Sequence, residues 1–259
     1  MGKISVKVFD LKGKATGKVR LSQIFKKPLR PDVIRRAVIA VQSHRFQPQG
    51  RDVMAGKRTT AESRGVGLGI SRVSRLKEGQ TAAFIPSAVG GRIAHPPLVE
   101  KRIRKKIPRK EMRLALQSAI AATASKEVVG SRGHVVDEVP DFPLIVTDDI
   151  EGLSKTKDVK TTLLQLGIWS DIYRVRESRK VRAGKGKGRG RRKKQAVGPL
   201  IVINEDKGIT EAARNIPGVD IVTVDSLNVE LLSPGAHPGR LTMWTNSALE
   251  KLDKLFGER

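Results

Sequence analysis

From Gln47 to Pro108 the chain carries eight glycines and five prolines and sustains neither a helical nor a strand period for long. A structureless stretch of that length argues against a compact domain unless a partner orders it. The wider window Val41 to Arg113 holds 17 basic and 5 acidic residues, which gives the sign of that partner's charge. A second window, Arg174 to Gln195, holds 12 basic residues against 1 acidic. Its centre, Arg182 to Lys194, offers no buriable side chain beyond Ala183, so it is not expected to fold alone. These windows contribute net +12 and +11, which is +23 of the formal +25; the other 164 residues carry 22 basic and 20 acidic groups. The chain therefore reads as a nearly neutral body interrupted by two cationic insertions.

The body reads as alternating strand and helix. Ile4 to Phe9 alternates with period two, as a half-buried strand does. Pro31-Asp32 opens a helix to His44 whose Val33, Ile34, Ala37, Val38 and Val41 share one face. Met112, Leu116, Ala119, Ile120 and Thr123 repeat that spacing in an Ala-rich helix over Lys110–Ser125. Leu144-Ile145-Val146, Leu200 to Ile203 and Ile221 to Val224 are apolar runs of the kind that strands covered on both faces require. Between the first two, Ser154 is placed as the N-cap of a helix ending at Gly167. Leu241 to Trp244 reads as a strand leading into a capping box, Ser247-Ala248-Leu249-Glu250, that opens the last helix. Strands separated by helices imply α/β architecture: a mainly parallel sheet with helices on both faces, plus a long extended basic internal loop and a second basic loop. The expected division is a body of 1–46 and 109–259, an inserted loop of 47–108, and a second basic loop of 181–195.

A charge of this size selects a polyanion. Lys and Arg neutralise phosphates and release counterions. Intervening glycines let the backbone lie against phosphate and sugar, and Arg adds planar stacking and bidentate contacts. RNA is favoured over DNA, because no helix-turn-helix, zinc-finger or basic-zipper layout is present and an extended ligand suits irregular RNA shape. Localisation signals and solubility tails are the plain alternative, but such tails sit at termini and both segments here are internal.

An α/β enzyme that modifies RNA or uses a nucleotide, with basic insertions, is the other class to weigh. Gly65-Val66-Gly67-Leu68-Gly69 lacks the spacing of a dinucleotide loop, and no G-x-x-x-x-G-K-[ST] occurs. Asp148-Asp149 follow an apolar strand where α/β enzymes place carboxylates, although capping and turn roles are commoner. His44 and His95 lie in basic context suited to RNA contact, while His134 and His237 read as ordinary loop residues. Trp169 and Tyr173 are expected to pack the body rather than stack on bases. With no Cys there is no disulfide, thiolate zinc site or cysteine nucleophile. No catalytic set, metal site or cofactor is expected. No run approaches the roughly 18 apolar residues of a membrane span, and no signal-peptide core opens the chain, so an intracellular protein is expected.

Three runs carry a resemblance: Arg45-Phe46-Gln47-Pro48-Gln49-Gly50, then Met54 through Gly65 (MAGKRTTAESRG), then Ala88 through Pro97 (AVGGRIAHPP). Their order of glycine, proline and cation has no general folding reason to recur. Together with the second basic loop and the Ser247–Glu250 ending, they make the chain similar, over essentially its whole length, to the L-four family of large-subunit ribosomal proteins. The resemblance is to the archaeal and eukaryotic branch, and the absence of a long C-terminal extension favours the archaeal type as the expectation.

The resemblance implies a structural, non-enzymatic constituent of the large subunit in the cytoplasm, supporting its assembly. Its long loop would thread into large-subunit (23S-type) rRNA and line the polypeptide exit tunnel. The implied partners are that rRNA, neighbouring ribosomal proteins and the nascent polypeptide, with no membrane and no homo-oligomer. The rRNA-binding candidates in the long loop are His44, Arg45, Arg51, Lys57, Arg58, Arg64, Arg72, Arg75, Arg92, His95, Lys101, Arg102, Arg104, Lys105 and Lys106. Those in the second loop are Arg179, Lys180, Arg182, Lys185, Lys187, Arg189, Arg191, Arg192, Lys193 and Lys194. The tunnel-proximal candidates are Ser63, Arg64, Gly65, Gly67, Gly69, Ser71 and Arg72. Run out and back at ~3.3 Å per residue, the long loop can reach at most roughly 100 Å.

Overall fold

The computed structural model describes residues 5–256. Ile4, assigned above to the first strand, lies outside them. Two units divide the chain: Met1–Val41 with Lys106–Arg259, and Gln42–Lys105.

The first unit is built on a six-stranded sheet. In chain order the elements are β1 (Ser5–Phe9), β2 (Ala15–Arg20), α1 (Pro31–Ser43), α2 (Arg109–Thr123), α3 (Lys126–Ser131), β3 (Leu144–Val146), α4 (Thr156–Gln165) and α5 (Trp169–Glu177). There follow β4 (Lys180–Val181), β5 (Lys193–Lys194), β6 (Leu200–Ile203), α6 (Ile209–Ala213), β7 (Asp220–Thr223), α7 (Val229–Leu232), β8 (Thr242–Thr245) and α8 (Asn246–Phe256). The large sheet runs β2-β1-β3-β8-β6-β7, and β4-β5 form a separate ribbon. Among the described residues, only the β1–β2 pair in the large sheet is antiparallel.

The continuous apolar runs are explained by position. Every residue of β3, β6 and β8 is buried, because successive side chains enter different layers. Ile145, Leu200, Val202 and Trp244 face α1, α2, α7 and α8, meeting Ile34, Ile120, Leu232 and Leu252. Leu144, Val146, Ile201, Ile203 and Met243 face α4, α5 and α6, meeting Leu163, Ile172 and Ala213. The fold is thus α/β, a mainly parallel sheet with helices on both faces. Trp244, fully buried, meets Phe25 edge to face at 5.7 Å between ring centroids.

Local details correct several expectations. Ser154 does not cap α4, which starts at Thr156 after Lys155 and has no side-chain cap. Its end is as expected: Gly167 has φ +71°, and a Cβ there would lie 2.2 Å from the Glu138 carbonyl oxygen. The capping box at Ser247 is also displaced. Helix α8 begins at Asn246, so the cap position lies two residues earlier, at Thr245, whose Oγ1 accepts from the Ala248 N–H at 3.3 Å, and Ser247 turns to Asp148. Trp169 packs against the core, but Tyr173 is 53% exposed, against expectation. The residues of β2 show no apolar alternation because Val19 alone packs inward.

Candidate nucleic-acid interface

In the second unit, paired backbone limbs take the place of regular secondary structure. The Lys105 N–H donates to Ser43 Oγ at 2.9 Å, and His44 Nε2 lies 3.3 Å from the Lys105 carbonyl. Further along, the Arg51 N–H reaches the Pro97 carbonyl at 3.3 Å. Gly56, with φ +74°, passes so near Gly91 that a Cβ would lie 2.5 Å from the Gly91 carbonyl carbon. No side chain fits there. Glu62 and Arg75 then exchange both backbone hydrogen bonds, at 3.1 and 3.0 Å. Two turns follow in succession. The second is closed by the Leu76 N–H on the Thr81 carbonyl and the Ala83 N–H on the Ser74 carbonyl.

The first turn, between Glu62 and Arg75, contains the tunnel-proximal candidates. Ser63 Oγ donates to the Arg72 carbonyl at 3.0 Å and accepts from the Gly65 N–H at 3.4 Å. Gly65, Gly67 and Gly69 all have φ between +66° and +92°, and nothing lies within 4 Å of where their Cβ atoms would be. The apolar residues between them are open too, Val66 at 75% and Leu68 at 60% exposure. The turn therefore presents bare backbone and small apolar side chains.

Several predicted RNA-contacting cations of this unit are already engaged. Arg58 pairs with Asp52 and, through that hydrogen bond, holds its carboxyl below the usual carboxylate range. Arg64 donates to the Gly79 carbonyl at 3.3 Å, and Arg75 to that of Gln80. Arg92 lies over the Phe84 ring at 5.4 Å. In contrast Arg72, Lys101, Arg102 and Arg104 are exposed and have no ion-pair partner among the described residues. Lys57 and His95 likewise show no ion pair.

The second basic segment lies in the first unit and is ordered as a ribbon, where the sequence offers no core to fold it. Lys180 pairs with Lys194 and Val181 with Lys193. The Ala196 N–H donates to Ser178 Oγ at 2.8 Å and fixes its base. The Arg182 N–H reaches the Arg192 carbonyl at 2.9 Å, and the Arg182 guanidinium reaches that of Arg191 at 3.1 Å. A 3-10 turn over Lys185–Arg189 closes the far end, between Gly184 and Gly190, both at positive φ. Backbone hydrogen bonds and glycine geometry do what apolar burial cannot. Arg179, Lys180, Lys185, Lys187, Arg189, Arg191, Arg192, Lys193 and Lys194 have no carboxylate partner among the described residues. A strand pair with lysines directly opposite is unfavourable by itself and favours a bound polyanion.

The carboxylates at the sheet's C-terminal edge are spent on structure. Asp148 Oδ1 accepts from the Ser247 N–H and Oγ–H, both at 2.8 Å, and Asp149 Oδ2 accepts from Thr147 Oγ1 at 3.1 Å. His134 is not an ordinary loop residue: it is buried, with Nδ1 3.0 Å from Asp171 Oδ2. Burial pushes its pKa down, although the Asp171 hydrogen bond opposes this. Burial also works against the Asp171 charge, but hydrogen bonds from His134 and Arg174 leave its pKa below the ordinary value. Arg132, beside them, is lowered to about 10, by burial first and then by Arg240 and Arg174. The sequence held no signal of this cluster, since His134 and Asp171 are 37 positions apart.

The sequence model of the Ribosomal protein L4/L1 family matches residues 19–255. The chain is 51% identical over 251 residues to the large ribosomal subunit protein uL4 of Methanosphaera stadtmanae, covering 97% of each chain. It is 47% identical over 249 residues to that of Archaeoglobus fulgidus, covering 96% of this chain and 98% of the relative. For that of Methanopyrus kandleri the identity is 48% over 256 residues, covering 97% and 98%.

Proposed function

The chain belongs to the ribosomal protein L4/L1 family, and from that premise we propose how its two basic segments serve the large ribosomal subunit. The protein is a structural constituent of that subunit, not an enzyme, and its partners are rRNA and neighbouring ribosomal proteins in the cytoplasmic ribosome. The segment 47–108 threads into large-subunit rRNA. Its turn from Ser63 to Arg72 stands at the wall of the polypeptide exit tunnel, near the nascent chain. The 181–195 ribbon clamps rRNA beside the body, and the run Lys101 to Lys106 grips the backbone at the base of the long segment.

One observation carries this reading: the cations from Arg179 to Lys194 form an ordered ribbon without a single carboxylate partner among the described residues. An external polyanion of high charge density relieves that repulsion. For the tunnel turn the support is chemical. Open glycine backbone allows close approach to RNA, and the exposed Arg72 can meet phosphates or the passing peptide.

The test is crosslinking from a photoreactive group at Ser71 in assembled, translating subunits. Adducts to tunnel-wall RNA or nascent chain are expected. Adducts confined to solvent-side RNA would overturn the placement of the turn.

A further inference from the structure

The near-neutral body conceals a charge division of its own. Residues 1–30 carry nine basic groups and one acidic. The rest of the chain outside the two basic windows carries 13 basic and 19 acidic groups. An average close to zero therefore combines a strongly cationic N-terminal segment with an acidic remainder.

The fold gives three of those cations a shared face. In β1, Ser5 and Lys7 are exposed while Val6 and Val8 are buried. Across the antiparallel pair the register sets Lys7 opposite Lys18, and Ser5 opposite Arg20. Directly opposite residues share a side of the sheet, and Val19 packs against the core from the other side. Lys7, Lys18 and Arg20 therefore stand together on one solvent-facing surface. None of them has a carboxylate partner among the described residues. Strand β2 is also the edge of the sheet. Lys7 facing Lys18 repeats the pairing of Lys180 with Lys194 in the basic ribbon, and carries the same repulsion in the free protein.

We propose that this face of the β1–β2 ribbon is a third RNA-backbone contact surface, with Lys7, Lys18 and Arg20 neutralising phosphates. The proposal rests on the rRNA-binding role above and extends it to a part of the chain where no RNA contact was expected. Edge strands also carry lysines simply to block strand-on-strand association. That use needs no phosphate, so the two roles separate experimentally.

The experiment uses the full chain and archaeal large-subunit rRNA extracted from stripped subunits. Affinity is measured from 0.1 to 0.5 M salt for the wild type and for K7Q/K18Q/R20Q. A charge-matched control, K157Q/K207Q/K254Q, removes three exposed cations elsewhere. The ribbon variant is expected to bind ~10-fold more weakly at low salt, with its log-salt slope reduced by roughly 2 to 3. Its RNA-free melting temperature should equal or exceed that of the wild type, because a like-charge pair is gone. The control should keep the wild-type slope. An unchanged slope in the ribbon variant, while the wild type binds rRNA, would overturn the proposal and leave the edge-guarding role. Equal slope losses in both variants would overturn it as well, since any cation would then serve. Failure of the wild type to bind would count against the RNA-binding role itself.

Discussion

Thr245 at the end of β8 donates its hydroxyl at 3.0 Å to the buried carboxylate of Glu151, which also accepts the Asn204 N–H after β6 at 2.9 Å. One side chain thus ties together the C-terminal ends of neighbouring strands, at the sheet edge where an α/β enzyme would keep its reactive groups. Here the carboxylate is consumed by structure. Glu151→Ala takes the acceptor from the part-buried Asn204 N–H and the stronger of two partners from the buried Thr245 hydroxyl, and should cost about 1–3 kcal/mol. Urea unfolding of the RNA-free protein measures this. A loss below ~0.5 kcal/mol would show that water replaces the carboxylate without penalty.

Gly167→Ala should be as damaging. The positive φ strains any L side chain, and the new Cβ would collide with the Glu138 backbone, which cannot swing aside as a side chain could. A cost of at least about 2 kcal/mol is expected in the same assay, against near-neutrality for Gly188→Ala, where nothing lies within 4 Å of the new Cβ and no positive φ is required.

The His134 cluster gives the body a pH dependence of definite sign. The His134 pKa is depressed in the folded state, so the unfolded chain binds the extra proton as pH falls below about 6.5. Stability is therefore present at neutral pH and is lost on acidification. The depressed Asp171 acts in the same direction at lower pH. His134→Asn removes the titrating ring and keeps an amide able to donate to Asp171. Melting temperature followed from pH 7.5 to 5 should fall more steeply for the wild type than for the variant. Parallel curves would mean that His134 is protonated in the fold without penalty.

How much of this was legible in the sequence depended on where each signal was stored. Runs such as Leu200 to Ile203 declared themselves because strands buried on both faces admit nothing else. Strand β2 did not, since one inward residue, Val19, cannot make a pattern. The start of α8 was misplaced because its cap comes from Thr245 and from Asp148, a residue distant in sequence. The order in the second basic segment was hidden because backbone hydrogen bonds, and not apolar side chains, create it. The cationic N-terminal segment was hidden by summing it with an acidic remainder.

Neutralising Lys185, Lys187, Arg189, Arg191, Arg192 and Lys193 with glutamine should leave the melting temperature of the body nearly unchanged. These side chains bury nothing and pair with no carboxylate among the described residues. Affinity for large-subunit rRNA should fall, with a slope loss of roughly 0.7–0.9 per phosphate contact removed. An unchanged slope would mean that these cations face solvent or a protein neighbour.

Deleting Ser63 to Ser74 should spare the body. The turn it removes is closed on itself by the Glu62–Arg75 pair and the Ser63–Arg72 hydrogen bond. Body folding and initial rRNA binding should persist, whereas subunit maturation or passage of nascent chains should change. Profiling of subunit precursors and of elongation in cells carrying the deletion measures both. Wild-type behaviour in both would detach this turn from the tunnel.

We propose that unpaired cations in two basic segments hold this α/β body in the large subunit. Sedimentation through a high-salt gradient tests it most directly. Wild type is compared with a chain in which the cations of 101–106 and 185–193 are replaced by glutamine. The wild type should remain with large subunits at salt concentrations that strip the variant, while both proteins show the same melting temperature when free. Co-sedimentation of the neutralised chain at the same salt as the wild type would contradict the account.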